Sequence, residues 1–186
     1  MLDWIRKRWH RKRENANLVG AIYSSISDAA RDPALYTRFG VADTLMGRYE
    51  MMALHSFLFQ HRAKGATPHL EEMAQEVLDA YFLELDHSLR EVGIGDVAVP
   101  KRMKKLGRMI YGRWEAYDKA LRAGDRAGMA EALQRNVYSE GGNADRADDL
   151  AGYVFLASEY LARQDDDALL SGRLSFPAPY KAVEAA

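Results

Sequence analysis

The chain of 186 residues has no cysteine, five prolines and no long apolar run. Without cysteine there are no disulfides, thiolate metal sites, iron–sulfur clusters or cysteine nucleophiles, and the composition fits a reducing compartment. The richest apolar stretch, Met51 to Phe59, is broken by His55 and Ser56, well short of the roughly 18 residues that span a bilayer. Behind Trp4 and Ile5 comes a basic cluster rather than the hydrophobic core of a secretory signal, so export is not expected. β-Branched residues are also scarce: Val, Ile and Thr together number 17, against 28 Ala and 20 Leu. That balance favours helices over a sheet.

Net charge is nearly absent as well, at −1, but the charge is segregated. Residues 1–13 carry six basic side chains against Asp3, residues 101–113 carry six more with no acid, and the other 160 residues have a net charge of −12. Two cationic patches on an acidic body point to anionic partners.

The spacing predicts an all-α fold, a single-domain compact bundle of about six or seven helices with an extended C-terminal tail. A basic segment, 1–14, precedes the domain, 15–186. The first helix, about 15–31, carries Leu18, Ile22 and Ile26 on one face and ends at Asp32-Pro33. The second, about 43–64, has Asp43 or Thr44 as its cap and Gly65 beyond its end. The third opens at Thr67-Pro68 and stops at Gly93. The fourth runs from Pro100 to Arg122 or Ala123, with Gly124 after it and Asp125 capping a fifth that ends near Tyr138. A sixth follows Asn143. The second helix is apolar almost all round, as a central helix is, so any of Arg48, Glu50 and His55 that is buried needs a partner; His55 is the histidine expected inside. On the fourth, Met103, Leu106, Ile110, Trp114, Tyr117 and Leu121 share one side, and Lys101, Lys104, Lys105 and Arg108 project from the other.

No catalytic constellation is complete. Gly93 to Ala98 spells the G-x-G-x-x-A dinucleotide pattern, but a helix precedes it where a strand is required. Glu84 and His87 form one Glu-x-x-His pair, and a di-iron bundle needs a second pair and two more glutamates. No cofactor or metal is therefore expected. Lys101, Arg102, Lys104, Lys105, Arg108 and Arg113 form a candidate partner-binding surface for a phosphate backbone, rRNA or anionic headgroups, with a solvated helix face as the alternative. Trp4, Ile5 and Trp9 among basic residues suit an interfacial anchor, or equally a frayed basic tail.

The segments GVADTLMGRYEMMALH (40–55) and LREVGIGDVAVPKRMKKLGRMIYGR (89–113), with Leu35-Tyr36 and Asp86, closely resemble the ubiquinol–cytochrome c chaperone family over about residues 35–120. The stretch 169–176, LLSGRLSF, resembles the end of the mitochondrial members more weakly. The resemblance implies an α-helical, non-enzymatic factor that binds newly made cytochrome b and supports assembly of ubiquinol–cytochrome c reductase. It also implies contacts with the ribosome near the tunnel exit and with a small helper protein, as in the mitochondrial branch. Its motif positions here are Asp43, Arg48, Glu50, His55, Asp86, Arg90 and Glu91, then Gly93, Pro100, Lys101, Arg102, Lys104 and Lys105; the polar ones, Asp43, Arg48, Glu50, His55, Asp86 and Arg90, are candidates for one network. The chain shows no long targeting extension and no extra hydrophobic segment. The expected location is therefore the cytoplasm, peripheral at the inner face of a bacterial inner membrane, with the mitochondrial matrix side as the alternative. An apolar groove lined by Met51, Met52, Met103 or Met109 would shelter the client, and a ribosome- or RNA-binding module acting through 101–113 is the competing reading.

Overall fold

The computed structural model describes the backbone of residues 2–91, 93, 95, 98–139 and 141–179, and the side chains of those from residue 15 onward. The helices are α1 (Leu2–Ala30), α2 (Pro33–Thr37), α3 (Leu45–Ala63), α4 (Pro68–Glu91), α5 (Val99–Ala123), α6 (Arg126–Asn136), α7 (Ala147–Ala162) and α8 (Asp166–Leu170), with one 3₁₀ turn (Ala144–Arg146) before α7. No strand occurs among the described residues. None of these helices is long and apolar enough to cross a membrane.

Local chemistry places most boundaries. Thr44 caps α3, its hydroxyl accepting from the Gly47 amide at 3.1 Å, and Asp125 caps α6 through the Gly128 amide at 2.8 Å. Gly124 ends α5 at φ 63°, in the left-handed region that glycine enters without a Cβ clash. Asp32-Pro33 does more than stop α1: the Asp32 carboxylate accepts from the Ala34 amide at 2.8 Å and Pro33 takes the first position of the short α2. The α1 helix also begins far earlier than the apolar stripe suggests, and residues 2–14 run into it without a break.

The interior is organised around α3. Met51, Leu54, Phe57, Leu58 and Phe59 are buried in the main core, which also takes Ile22 and Ile26 from α1, Leu70 and Met73 from α4, Met129 and Leu133 from α6, and Tyr153 and Val154 from α7. Two long-range ties fix this arrangement. Arg62, at the end of α3, donates to the carbonyls of Leu161 (2.9 Å) in the last turn of α7 and Gln164 (2.7 Å) just beyond it, and pairs with Asp166. Tyr138 donates to the Phe39 carbonyl at 2.7 Å, joining the end of α6 to the loop before α3. The tail beyond α8 is extended and lies on the body. Ser175 exchanges two hydrogen bonds with the Gln164 side chain, at 2.8 and 3.1 Å, and Leu174 is buried.

Candidate functional site

A cleft of about 1010 Å³ opens between α1, α3, α4 and α5. Its placement follows from the register of these helices. Asn15 of α1 bonds Glu76 of α4 at 2.5 Å, and Tyr23, eight residues on, lies in the field of Glu84, so α1 and α4 run parallel. In α3, Tyr49 stacks on Tyr81 while Gln60 donates to the Ala74 carbonyl, so α3 runs against α4. On α5, Gly107 faces the Phe82 ring and Trp114 donates to the Ala53 carbonyl at 3.2 Å. The end of α1, the start of α3, the end of α4 and the start of α5 therefore meet at one end of the bundle.

The walls of the cleft are apolar and its rim is cationic. Leu45, Met46, Tyr49, Met52, Tyr81, Leu85, Leu106 and Met109 line it, together with Arg31, Arg48, Arg102 and Lys105. Leu45 is 68% exposed, an apolar side chain left in water immediately after the α3 cap. Of the expected methionine groove, Met52 and Met109 are present and Met46 joins them. Met51 points instead into the core and Met103 is not among the lining residues. Beneath the cleft the Tyr49 and Tyr81 hydroxyls are buried and close enough to influence each other, but neither meets hydrogen-bond geometry with a protein partner. Burial, with smaller charge effects, pushes Tyr49 up to about 12 and Tyr81 well above its usual range, so both hydroxyls keep their protons.

Lys101, Arg102, Lys104, Lys105 and Arg108 are all exposed, and none of them forms an ion pair among the described residues. Arg113 corrects the grouping of six. Its side chain is only 10% exposed and its guanidinium meets the Glu50 carboxylate, 5% exposed, at 2.6 Å; Nε also donates to Asn136 at 3.2 Å. The charge run continues through residue 113, but the helix has turned this position inward, where a desolvated guanidinium needs the carboxylate beside it.

Among the described residues, the contacts of the six polar motif positions fall into separate pairs rather than one network. Asp43 and Arg48 pair on the surface at 2.8 Å, and the hydrogen bond from Arg48 holds the Asp43 carboxyl below its usual range. Asp86 and Arg90 pair within α4 at 2.7 Å, and the Arg90 bond lowers Asp86 in the same way. Glu50 goes to Arg113. His55 is fully buried between the Met51 carbonyl and the Tyr153 hydroxyl, both at 2.8 Å, with the Phe176 ring edge-on at 5.2 Å. Because a carbonyl only accepts, Nδ1 carries the proton and Nε2 accepts from Tyr153. Burial lowers His55 to about 4, against the opposing Met51 hydrogen bond, so the ring is neutral. This is a satisfied core histidine that ties α3 to α7 and to the tail.

Other sequence signals fall elsewhere. Glu84 lines the cleft and His87 is exposed. No group of three or more potential metal ligands gathers among the described residues. Gly93 follows α4 at φ 85°, while Ile94, Asp96 and Val97 lie outside the described residues. The side chains of Trp4, Ile5 and Trp9 also lie outside them. Tyr23, Arg31, Leu45 and Met46 are cleft residues that the sequence reading did not single out. Only Leu45, apolar beside a helix cap, carried a local signal.

The comparisons match this architecture. The model of the ubiquinol–cytochrome C chaperone family covers residues 37–176, so the likeness continues well beyond the two motif segments into α7 and the tail. The crystal structure of the Cbp3 homolog from Brucella abortus is similar at 43% identity, over 97% of this chain and 99% of that one, with a TM-score of 0.86. No curated protein matches. On the family match and a solved homolog alike over nearly its whole length, the chain belongs to the ubiquinol–cytochrome c chaperone family, whose members are assembly factors rather than enzymes.

Proposed function

We propose that the chain, within the assembly of ubiquinol–cytochrome c reductase, binds newly made cytochrome b and shelters an apolar segment of it in the cleft between α1, α3, α4 and α5. The observation that carries this reading is the cleft itself: apolar side chains of α3, α4 and α5 left open at one end of the bundle, in a member of an assembly-chaperone family. Open apolar clefts mark binding sites. The walls include Met46, Met52 and Met109, whose flexible thioethers repack around irregular partners. Holding a client requires no bond-making, only reversible burial of apolar surface. A photo-crosslinking side chain at Met52 or Met109, present while cytochrome b is translated, should label that protein, whereas one at exposed Leu83, outside the cleft, should not. Equal labelling from all three positions, or normal reductase levels in cells lacking the chaperone, would sink the proposal.

The cations of α5 support a second contact. Five exposed cations within eight residues, with no ion pair among the described residues, repel one another, and an anionic surface relieves that repulsion. We assign this face to rRNA near the tunnel exit or to anionic headgroups at the inner face of the membrane. Either contact would place the cleft where an apolar client emerges, with the protein peripheral to the bilayer. A ribosome- or RNA-binding module acting through these residues alone would show steep salt dependence without any need for the cytochrome.

A further inference from the structure

The cleft is polarised along its length. By the helix register, Tyr49, Met52 and Met109 lie level with Tyr81 at the inner end; Arg31 and Arg102 lie near the level of Ser88 at the mouth, with Lys105 about one turn further in, level with Glu84. None of these three cations forms an ion pair among the described residues, whereas Arg48 on the same rim is already held by Asp43. Glu84 is the acid among the lining residues and leaves the mouth net positive.

A site apolar within and cationic at its mouth is complementary to an occupant that is apolar along its length and anionic at one end. Size favours a helix. Two turns are about 11 Å long and about 10 Å across, a cylinder of roughly 850 Å³. The cleft of about 1010 Å³ accommodates that volume. A helix C-terminus adds its own partial negative charge, and acidic side chains there strengthen the match. Resting on the reading that this cleft receives an apolar client, we propose that it selects apolar helical segments that end in acidic residues. The carboxylates meet Arg31, Arg102 and Lys105, and the two preceding turns lie against Met52, Tyr81 and Met109. Segments ending in lysine or arginine are turned away by like charge at the mouth. The client is thereby sorted by its end as well as by its hydrophobicity.

Two labelled helical peptides of one Leu/Ala sequence, one ending in glutamates and the other in lysines, test this against the full chain by fluorescence anisotropy at low salt. The glutamate peptide should bind at least about tenfold more tightly, the ratio that a few exposed ion pairs supply. In the double variant Arg102→Glu, Lys105→Glu the order should reverse while the melting midpoint stays unchanged. Equal affinities, or a preference that survives the reversal, would overturn the charge selection; if Met52→Glu, verified as folded, still abolished binding of both peptides, the cleft would stand as the client site without it. Failure of both peptides to bind would overturn selection and cleft reading together. Displacement of the glutamate peptide by phosphatidylglycerol but not phosphatidylcholine vesicles, persisting in the variant Lys101→Glu, Lys104→Glu, Arg108→Glu whose outer α5 face no longer attracts a membrane, would give the mouth to lipid and overturn the proposal.

Discussion

Replacing Arg113 with methionine removes from the buried Glu50 carboxylate a countercharge held in direct contact with it. The two groups touch at 2.6 Å with 10% and 5% of their side chains exposed, so neither charge can turn to water without unpacking α3 from α5. Breaking such a pair from one side costs about 3–5 kcal/mol, compared with about 0–1 kcal/mol for an exposed pair. In a chain of this size each kcal/mol moves the melting midpoint by about 2–4 °C, which predicts a fall of roughly 10 °C. Glu50→Gln should cost a comparable amount by stranding the guanidinium. The double variant Glu50→Leu, Arg113→Met should recover most of the loss, because two apolar side chains of similar volume need no partner. Urea denaturation of wild type, both singles and the double gives the coupling energy directly. Coupling below about 1 kcal/mol, in the range of exposed pairs, would refute the buried assignment and return Arg113 to the surface cluster.

Three further outcomes follow from the same geometry. His55 titrates near 4 when folded and near 6.5 when free, so the unfolded chain takes up its proton first as pH falls; the stability this provides is full above about 6.5 and declines towards 4 by up to about 3 kcal/mol, and His55→Gln should flatten that part of the urea-midpoint profile, equal slopes counting against it. A Cβ on Gly47 would sit 1.9 Å from the Ala42 carbonyl, so Gly47→Ala should lose about 1–3 kcal/mol, and an unchanged denaturation midpoint would show that the α3 entry loop yields freely. Charge reversal at Lys101, Lys104 and Arg108 should weaken binding to rRNA or anionic vesicles while leaving the melting midpoint within about 1–2 °C, since exposed unpaired cations contribute little to stability; unchanged binding would make them solvated surface.

What could be read in advance was local. Thr44, Asp125 and Gly124 cap their helices with chemistry confined to four or five residues, and the all-round apolar composition of 45–59 already marked α3 as central. The partners of its polar residues were not legible, because His55 meets Tyr153 and Glu50 meets Arg113 across long stretches of chain that only the fold brings together. Arg113 did leave a trace. At about 100° per residue it lies roughly 20° beyond Leu106, at the edge of the apolar stripe of α5, a sector it shares with exposed Arg102. Treating 101–113 as one basic run ignored that rotation. The cleft was hidden for a different reason: it is made by four helix ends, and no segment by itself records that Arg31 and Arg102 line one cleft.

The same register separates the start of α1 from the start of α5. From Tyr23 and Arg31 at the cleft, α1 runs back past Asn15, beside Glu76, towards its start at Leu2, and a helix of 29 residues is about 44 Å long. The backbone of residues 2–13 therefore runs towards the end of the bundle opposite the start of α5, a separation several times the roughly 8 Å over which salt screens exposed charge. In the proposed function, the α5 cations would meet their anionic partner independently of the start of α1. Contact through α5 consequently fixes an orientation, because Arg102 and Lys105 belong both to that face and to the mouth of the cleft. A surface bound by Lys101, Lys104 and Arg108 has the cleft opening beside it, and any competition between that surface and an acidic client end is confined to Arg102 and Lys105.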